Sequence, residues 1–262
     1  MTASMTHAIP SRAAGRPSRP SRARGGGGGA ARSLSRKRTR QRAAADDDAY
    51  NAAMKAYSAT PYEYKHELGL YYHRIRPNLI VGTQPTTAAD IDRLRDVEGV
   101  TCVFNTQQDK DMEYWKVDFA SVKRQIEKRG MKLERYPFVD FSADSLREGL
   151  PAAAAALDAA ARRGETVYLH CTAGMGRSPG LAIAYMYWFL DAHDSLDGAY
   201  EALTSIRPCG PKKESIRAAT CDILAAHSDE WPIKLLEREL NEYEGARLSF
   251  GAKRMIRRKL RR

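Results

Sequence analysis

The stretch that decides the fold is His170-Cys171-Thr172-Ala173-Gly174-Met175-Gly176-Arg177-Ser178-Pro179. Immediately before it, Thr166 to His170 is short and rich in β-formers, which predicts a buried strand. Immediately after it, Pro179 to Leu190 is apolar and reads as a buried helix. A strand, a tight turn with two glycines and a helix form an anion-binding device. Backbone N–H groups of Thr172 to Arg177 can curl around one anion, and glycines at 174 and 176 relax the torsions this needs. The helix adds its unpaired N–H groups and the positive end of its dipole.

The same field stabilises a thiolate, so Cys171 is expected to ionise below the ordinary thiol range. Arg177 brings a planar fork that grips two oxygens of a phosphate, which a lysine does not do. Ser178 can donate a hydrogen bond to the sulfur. The phosphate-binding set is therefore Thr172, Ala173, Gly174, Met175, Gly176, Arg177 and Ser178. These residue types fit attack of Cys171 on phosphorus, a cysteinyl-phosphate, and hydrolysis by water. The leaving oxygen needs a proton from another loop. Asp140, just beyond an expected strand in Phe138-Val139-Asp140-Phe141, is the first candidate, with Asp144 in reserve. The chemistry calls for no metal and no cofactor.

Further out, Leu79 to Gly82, Thr101 to Thr106 and Met131 to Phe138 read as strands, and Val117 to Arg129 as a helix. Leu150 to Arg163 is alanine-rich, with Pro151 suited to a first helical turn and Gly164 to an end. Asp197 to Ile206 and Glu214 to Ala226 read as two more helices. Strands alternating with helices predict an α/β domain, a central sheet flanked by helices. Cys102 and Cys221 fall in apolar patterns as inert core thiols, and the four cysteines show neither zinc nor disulfide spacing.

The chain has 262 residues and a formal net charge of +11. The excess is local: residues 1–45 hold eleven Lys or Arg and no acid, which leaves 32 basic against 32 acidic residues in the remainder. That near-neutral remainder argues against nucleic acid as a partner. No apolar run approaches the roughly 18–20 residues of a membrane span. Residues 1–45, rich in Arg, Ser and Ala, read as an organelle transit peptide or a disordered basic segment. Residues 46–228 form the expected catalytic domain and 229–262 an amphipathic helical extension whose terminal cations suit a helix end.

The catalytic loop resembles the signature of the dual-specificity branch of the protein tyrosine phosphatases. The resemblance extends to Pro61–Tyr72 (PYEYKHELGLYY), Leu79–Pro85 (LIVGTQP), Gln107–Trp115 (QQDKDMEYW), Ala184–Phe189 (AYMYWF) and Arg207–Pro211 (RPCGP). Together these are similar to the plant and algal glucan phosphatases, of the Like-Starch-Excess-Four type. The resemblance implies a phosphatase domain of that fold, phosphorylated glucan (starch) as partner and substrate, and a place in the plastid stroma. It also implies that Tyr62, Tyr64, Tyr114, Trp115 and Phe141 line a glucan channel, where aromatic faces suit sugar rings. A monomer is expected. A dual-specificity phosphoprotein phosphatase is the competing function; a phosphoinositide enzyme fits less well, because the loop carries no cation besides Arg177.

Overall fold

The computed structural model describes residues 64–226 and 246–262. A single turn of 3-10 helix, His66–Leu68, leads into the elements. These are β1 (Tyr72–Arg76), β2 (Leu79–Gly82), α1 (Ala88–Asp96), β3 (Cys102–Asn105), α2 (Asp109–Tyr114), α3 (Phe119–Lys128) and β4 (Lys132–Arg135). They continue with α4 (Ala143–Arg162), β5 (Val167–His170), α5 (Arg177–Phe189), α6 (Leu196–Thr204), α7 (Lys213–Ala225) and α8 (Phe250–Leu260).

The sheet runs β1-β2-β5-β3-β4, parallel except for the antiparallel edge strand β1. Its side chains alternate between two cores, as the strand period demands. Leu79, Val81, Cys102, Phe104, Val167 and Leu169 face a large core built with α4 to α8. Ile80, Val103 and Tyr168 face a smaller one with Ile91 and Leu94 of α1 and Val122 and Ile126 of α3. Each large apolar side chain removed from water here contributes about 1.5–3 kcal/mol. The expected α/β architecture, a sheet between helices, is the one present.

Helix α5 is buried at every position, Arg177 to Phe189. An all-round apolar helix belongs in the interior, and α5 is packed against β2, β5, α4, α6, α7 and α8. Because its first residue is Arg177, the core fixes that arginine's backbone. In parallel register, Gly82 and Asn105 both lie beside His170. The residues that follow these three therefore emerge together at the C-terminal edge of the sheet, where ligands bind in open α/β sheets.

Several boundaries differ from expectation. The helix expected from Leu150 starts at Ala143, capped by Ser142, whose side chain accepts from Ser145 N. Pro151 thus lies inside the helix. An interior proline costs about 3 kcal/mol, and burial of Leu146, Leu150, Ala153, Ala154 and Leu157 along one face offsets it. The strand expected through Phe138 ends at Arg135, although Tyr136 N and Phe138 N still donate to Asn105 O and Thr106 O (2.9 and 3.0 Å). Strand β1, α1 and α2 were not anticipated, although Thr87 and Asp90 form a legible capping box for α1.

All four cysteines are free. Burial, foremost, pushes the Cys102 thiol up to about 12. The cations of α8 do more than end a helix. Lys253 is buried and donates to Leu190 O (2.7 Å) and to His193 O, and Arg257 donates to Trp188 O (3.0 Å), so α8 is fastened to the C-terminal end of α5. Among the described residues no helix is long and apolar enough to cross a membrane. The readings for residues 1–45 and for Tyr62 lie outside the described residues.

Gly149 provides a test of this packing. A Cβ there would sit 2.5 Å from Cε1 of Phe138, a fully buried ring. Gly149→Ala should therefore destabilise by about 1–3 kcal/mol through overpacking, where an open helical site would gain stability. Denaturant unfolding checks the sign.

Candidate active site

The loop 171–176 joins β5 to α5, so its ends are held by the central strand and the most buried helix. Gly174 has φ +66°, and a Cβ on it would lie 2.4 Å from Gly82 O and 2.5 Å from an Arg207 nitrogen. Only glycine fits there. Gly176 differs from expectation: its φ is −123° and a Cβ would meet nothing within 4 Å. The left-handed turn is made by Gly174 alone.

Cys171 is 3% exposed. Its Sγ accepts from Gly174 N (3.2 Å) and from Ser178 Oγ (3.4 Å). Burial, the largest influence, acts to raise its pKa. Arg177 and then the hydrogen bonds from Ser178 outweigh burial, and the thiol falls below its ordinary value. His170 is held down at about 4 by its burial and is neutral; its Nδ1, 3.1 Å from Cys171 O, therefore carries the proton.

The guanidinium of Arg177 is buried and fully engaged on its two terminal nitrogens. Nη1 donates to Asp111 and to Phe138 O (3.2 Å). Nη2 donates to Thr172 Oγ1 (3.1 Å) and lies 3.0 Å from Asp140 Oδ2. The arginine thus bridges the sulfur's loop, the Asp140 loop and α2. A buried guanidinium needs such partners. Burial works against its charge, but Cys171, Asp111 and Asp140 together hold its pKa above the ordinary value.

Two supports were invisible in the sequence pattern. Arg207, 0% exposed, donates from Nε to Gly174 O (2.7 Å) and from Nη2 to Ala173 O (3.0 Å), drawing the loop's carbonyls away from the anion side. On the opposite flank Gln107 Nε2 donates to Thr172 Oγ1 (3.0 Å) and Gln84 Oε1 (2.7 Å), and Gln84 Nε2 donates to Tyr64 OH (3.3 Å). Asp111 too was missed. The signal for these residues was only their presence in LIVGTQP, QQDKD and RPCGP, stretches that carry the resemblance.

Above the loop opens a cleft of about 860 Å³. Cys171, Thr172, Ala173, Met175, Gly176 and Arg177 line it together with Asp140, Tyr64, Tyr114, Trp115 and Phe141. Gly174 and Ser178 are not on its wall and act from beneath, through the sulfur. Tyr64 and Tyr114 each pack edge-on against Trp115, with ring centres 4.9 and 5.3 Å away. Phe141 and Tyr114 are 82% and 78% exposed, unusual for aromatic rings beside a cleft. Asp144, the reserve acid, is in the first turn of α4 and is not part of the wall.

The model of the family described as dual specificity phosphatase, catalytic domain, matches residues 79–217. The chain belongs to that family. Among its relatives, the phosphoglucan phosphatase DSP4, amyloplastic, of Castanea sativa is 39% identical over 180 residues, which cover 68% of this chain and 47% of the relative. The phosphoglucan phosphatase LSF1, chloroplastic, of Arabidopsis thaliana is 31% identical over 166 residues, 63% of this chain and 28% of the relative. The chain thus spans about half the length of these relatives, or less. Of solved structures, that of PTPMT1 covers 66% of this chain and 98% of its own, with 22% identity and a TM-score of 0.44. The matched interval in this dual specificity phosphatase domain contains Asp111, Asp140 and the whole cradle.

The depressed thiol sets a pH expectation. A group with a lowered pKa is deprotonated at lower pH, so alkylation of Cys171 by iodoacetamide should reach half its maximal rate below the pH of an ordinary thiol. Ser178→Ala removes one donor to the sulfur and should move that midpoint upward. A midpoint at or above the ordinary value in the unmodified protein would contradict the geometry.

Proposed function

We propose that this chain is a phosphoglucan phosphatase that removes phosphate monoesters from starch chains through a cysteinyl-phosphate. The observation that carries the reading is one cleft with an anion cradle at its base and four aromatic rings, Tyr64, Tyr114, Trp115 and Phe141, on its wall. Phosphate ester and sugar rings are then met by adjacent surfaces. The names of the two relatives, phosphoglucan phosphatases both, support the same substrate class.

In this proposal the Cys171 thiolate attacks phosphorus while the bond from phosphorus to the ester oxygen breaks. Asp140, in its acid form, gives its proton to the departing sugar oxygen. Water then attacks the phosphoryl group, Asp140 takes a proton from it, and the sulfur leaves as thiolate with Ser178 donating to it. The phosphate takes over the guanidinium edge that Asp140 occupies, which frees Asp140 to turn toward the ester. Arg177 and the loop amides meet the charge on the equatorial oxygens, where one well-placed donor is worth about 10²–10³ in rate.

Residues 46–228 are proposed as the catalytic domain and 229–262 as its extension, with residues 1–45 as a transit peptide to the plastid. Support for the compartment comes from the acid-free basic composition of that segment and from relatives described as amyloplastic and chloroplastic.

The test is phosphate release from solubilised phosphorylated starch beside a phosphopeptide panel and phosphoinositides. Release is expected from starch, and Cys171→Ser should abolish turnover while retaining binding to linear glucans. Asp140→Asn should lower the rate on starch by about 10²–10⁴, the usual contribution of a general acid, and lower it much less on an activated aryl phosphate. Activity confined to phosphopeptides, with no glucan binding by Cys171→Ser, would overturn the substrate assignment.

A further inference from the structure

Phe141, next to the proposed acid, has φ +59°. A bulky aromatic residue rarely adopts the left-handed region, and it persists there only where surrounding bonds impose it. Packing does not impose it, since the ring is 82% exposed. Hydrogen bonds do. Lys212 Nζ donates to Phe141 O at 2.5 Å, and Phe141 N donates to Asp140 Oδ1 at 3.1 Å. The flanks are pinned as well: Val139 N donates to Ser145 Oγ (2.9 Å), and Ser215 Oγ to Ala143 O (3.0 Å).

Lys212 occupies the N-cap position of α7, its side chain making no capping bond to the helix, and Ser215 lies in the first turn. Both therefore reach the Asp140 loop from one rigid element. The same stretch holds the cradle, because Gly210 N donates to Met175 O (3.1 Å) and Arg207 binds the carbonyls of Ala173 and Gly174. Segment 207–215 thus grips the nucleophile loop with one end and the acid loop with the other. The turn at Phe141 brings Asp140 Oδ2 to 3.0 Å from Arg177 Nη2, directly over the sulfur's loop.

We infer that Lys212 is a positioning residue for proton delivery: by holding the carbonyl of Phe141 it keeps the acid loop in the conformation that aims Asp140 at the leaving oxygen. This rests on the phosphatase reading above. Lys212 lines the cleft, and its ammonium donates to a backbone oxygen of the acid loop. On this inference its loss acts through Asp140, which a leaving-group series separates from a direct effect on the phosphate.

The experiment is a leaving-group series. With full-length protein and aryl phosphates of graded phenol acidity, Lys212→Met should lose little on the most acidic phenol. The loss should grow to about tenfold on the least acidic one, a fraction of the general-acid contribution. On phosphorylated starch the loss should fall in kcat, with KM within about twofold. Lys212→Arg, which keeps a donor, should recover most of the rate. In an Asp140→Asn background Lys212→Met should add nothing, since both act on one step. A loss equal across the series, a loss in KM alone, or full additivity with Asp140→Asn would each overturn the inference. A wild-type chain that releases phosphate from none of these substrates would instead overturn the phosphatase reading.

Discussion

A negative sulfur kept in an almost water-free position is the constraint to which the rest of this structure answers. Three buried or half-buried thiols in one chain serve as mutual controls. Burial drives Cys102 and Cys209 up to about 12. Cys171, 3% exposed against 0% for Cys102, moves the other way. The difference is the partner set: Arg177 beside it, Ser178 donating to it and the Gly174 amide turned toward it. Without those groups, desolvation alone would leave a neutral and unreactive thiol.

That solution transfers the difficulty to Arg177, which is itself buried and cannot shed its proton. Its charge is balanced by Asp111 on one nitrogen and Asp140 on the other. The site is thus an alternation of charges, carboxylate, guanidinium, sulfur, whose members come from α2, the Asp140 loop, the head of α5 and the loop that follows β5. Each member is costly alone and tolerable together. In the proposed mechanism a phosphate takes the place of the Asp140 contact, and the buried Nε of Arg177, which has no hydrogen-bond partner among the described residues, leaves a further N–H for an anion. Asp111 remains as the permanent counter-charge.

The cradle was legible because its parts are consecutive: strand, cysteine, glycine, arginine and buried helix follow one another, and each constrains a neighbour within a few residues. Asp140 was expected just after a strand ending at Phe138; the strand ends at Arg135, yet Phe138 N still donates to Thr106 O and the following loop brings Asp140 to the cleft wall. Asp111, Gln84, Gln107, Arg207 and Lys212 were not legible, because each acts on a residue 20 to 71 positions away, as Gln84 does on Tyr64 and Lys212 on Phe141. A polar side chain in a loop carries no mark of its distant partner. Pro151 misled for a related reason: its local preference for a first turn is real, but a face of Leu and Ala packed on the core outweighs it. The glycine at 176 looked as necessary as that at 174; the left-handed φ at 174 and the close approach of Gly82 O and Arg207 there separate them.

The most direct test of the account is to trap the sulfur in the act. Phosphorylated glucan mixed with the protein and quenched in acid within a turnover, followed by peptide mass spectrometry, should find one phosphoryl group on the peptide that holds Cys171. Slower hydrolysis in Asp140→Asn should increase that fraction on an activated ester. Turnover with the phosphoryl group on another side chain, or with label absent from Cys171 under conditions where the intermediate accumulates, would contradict it.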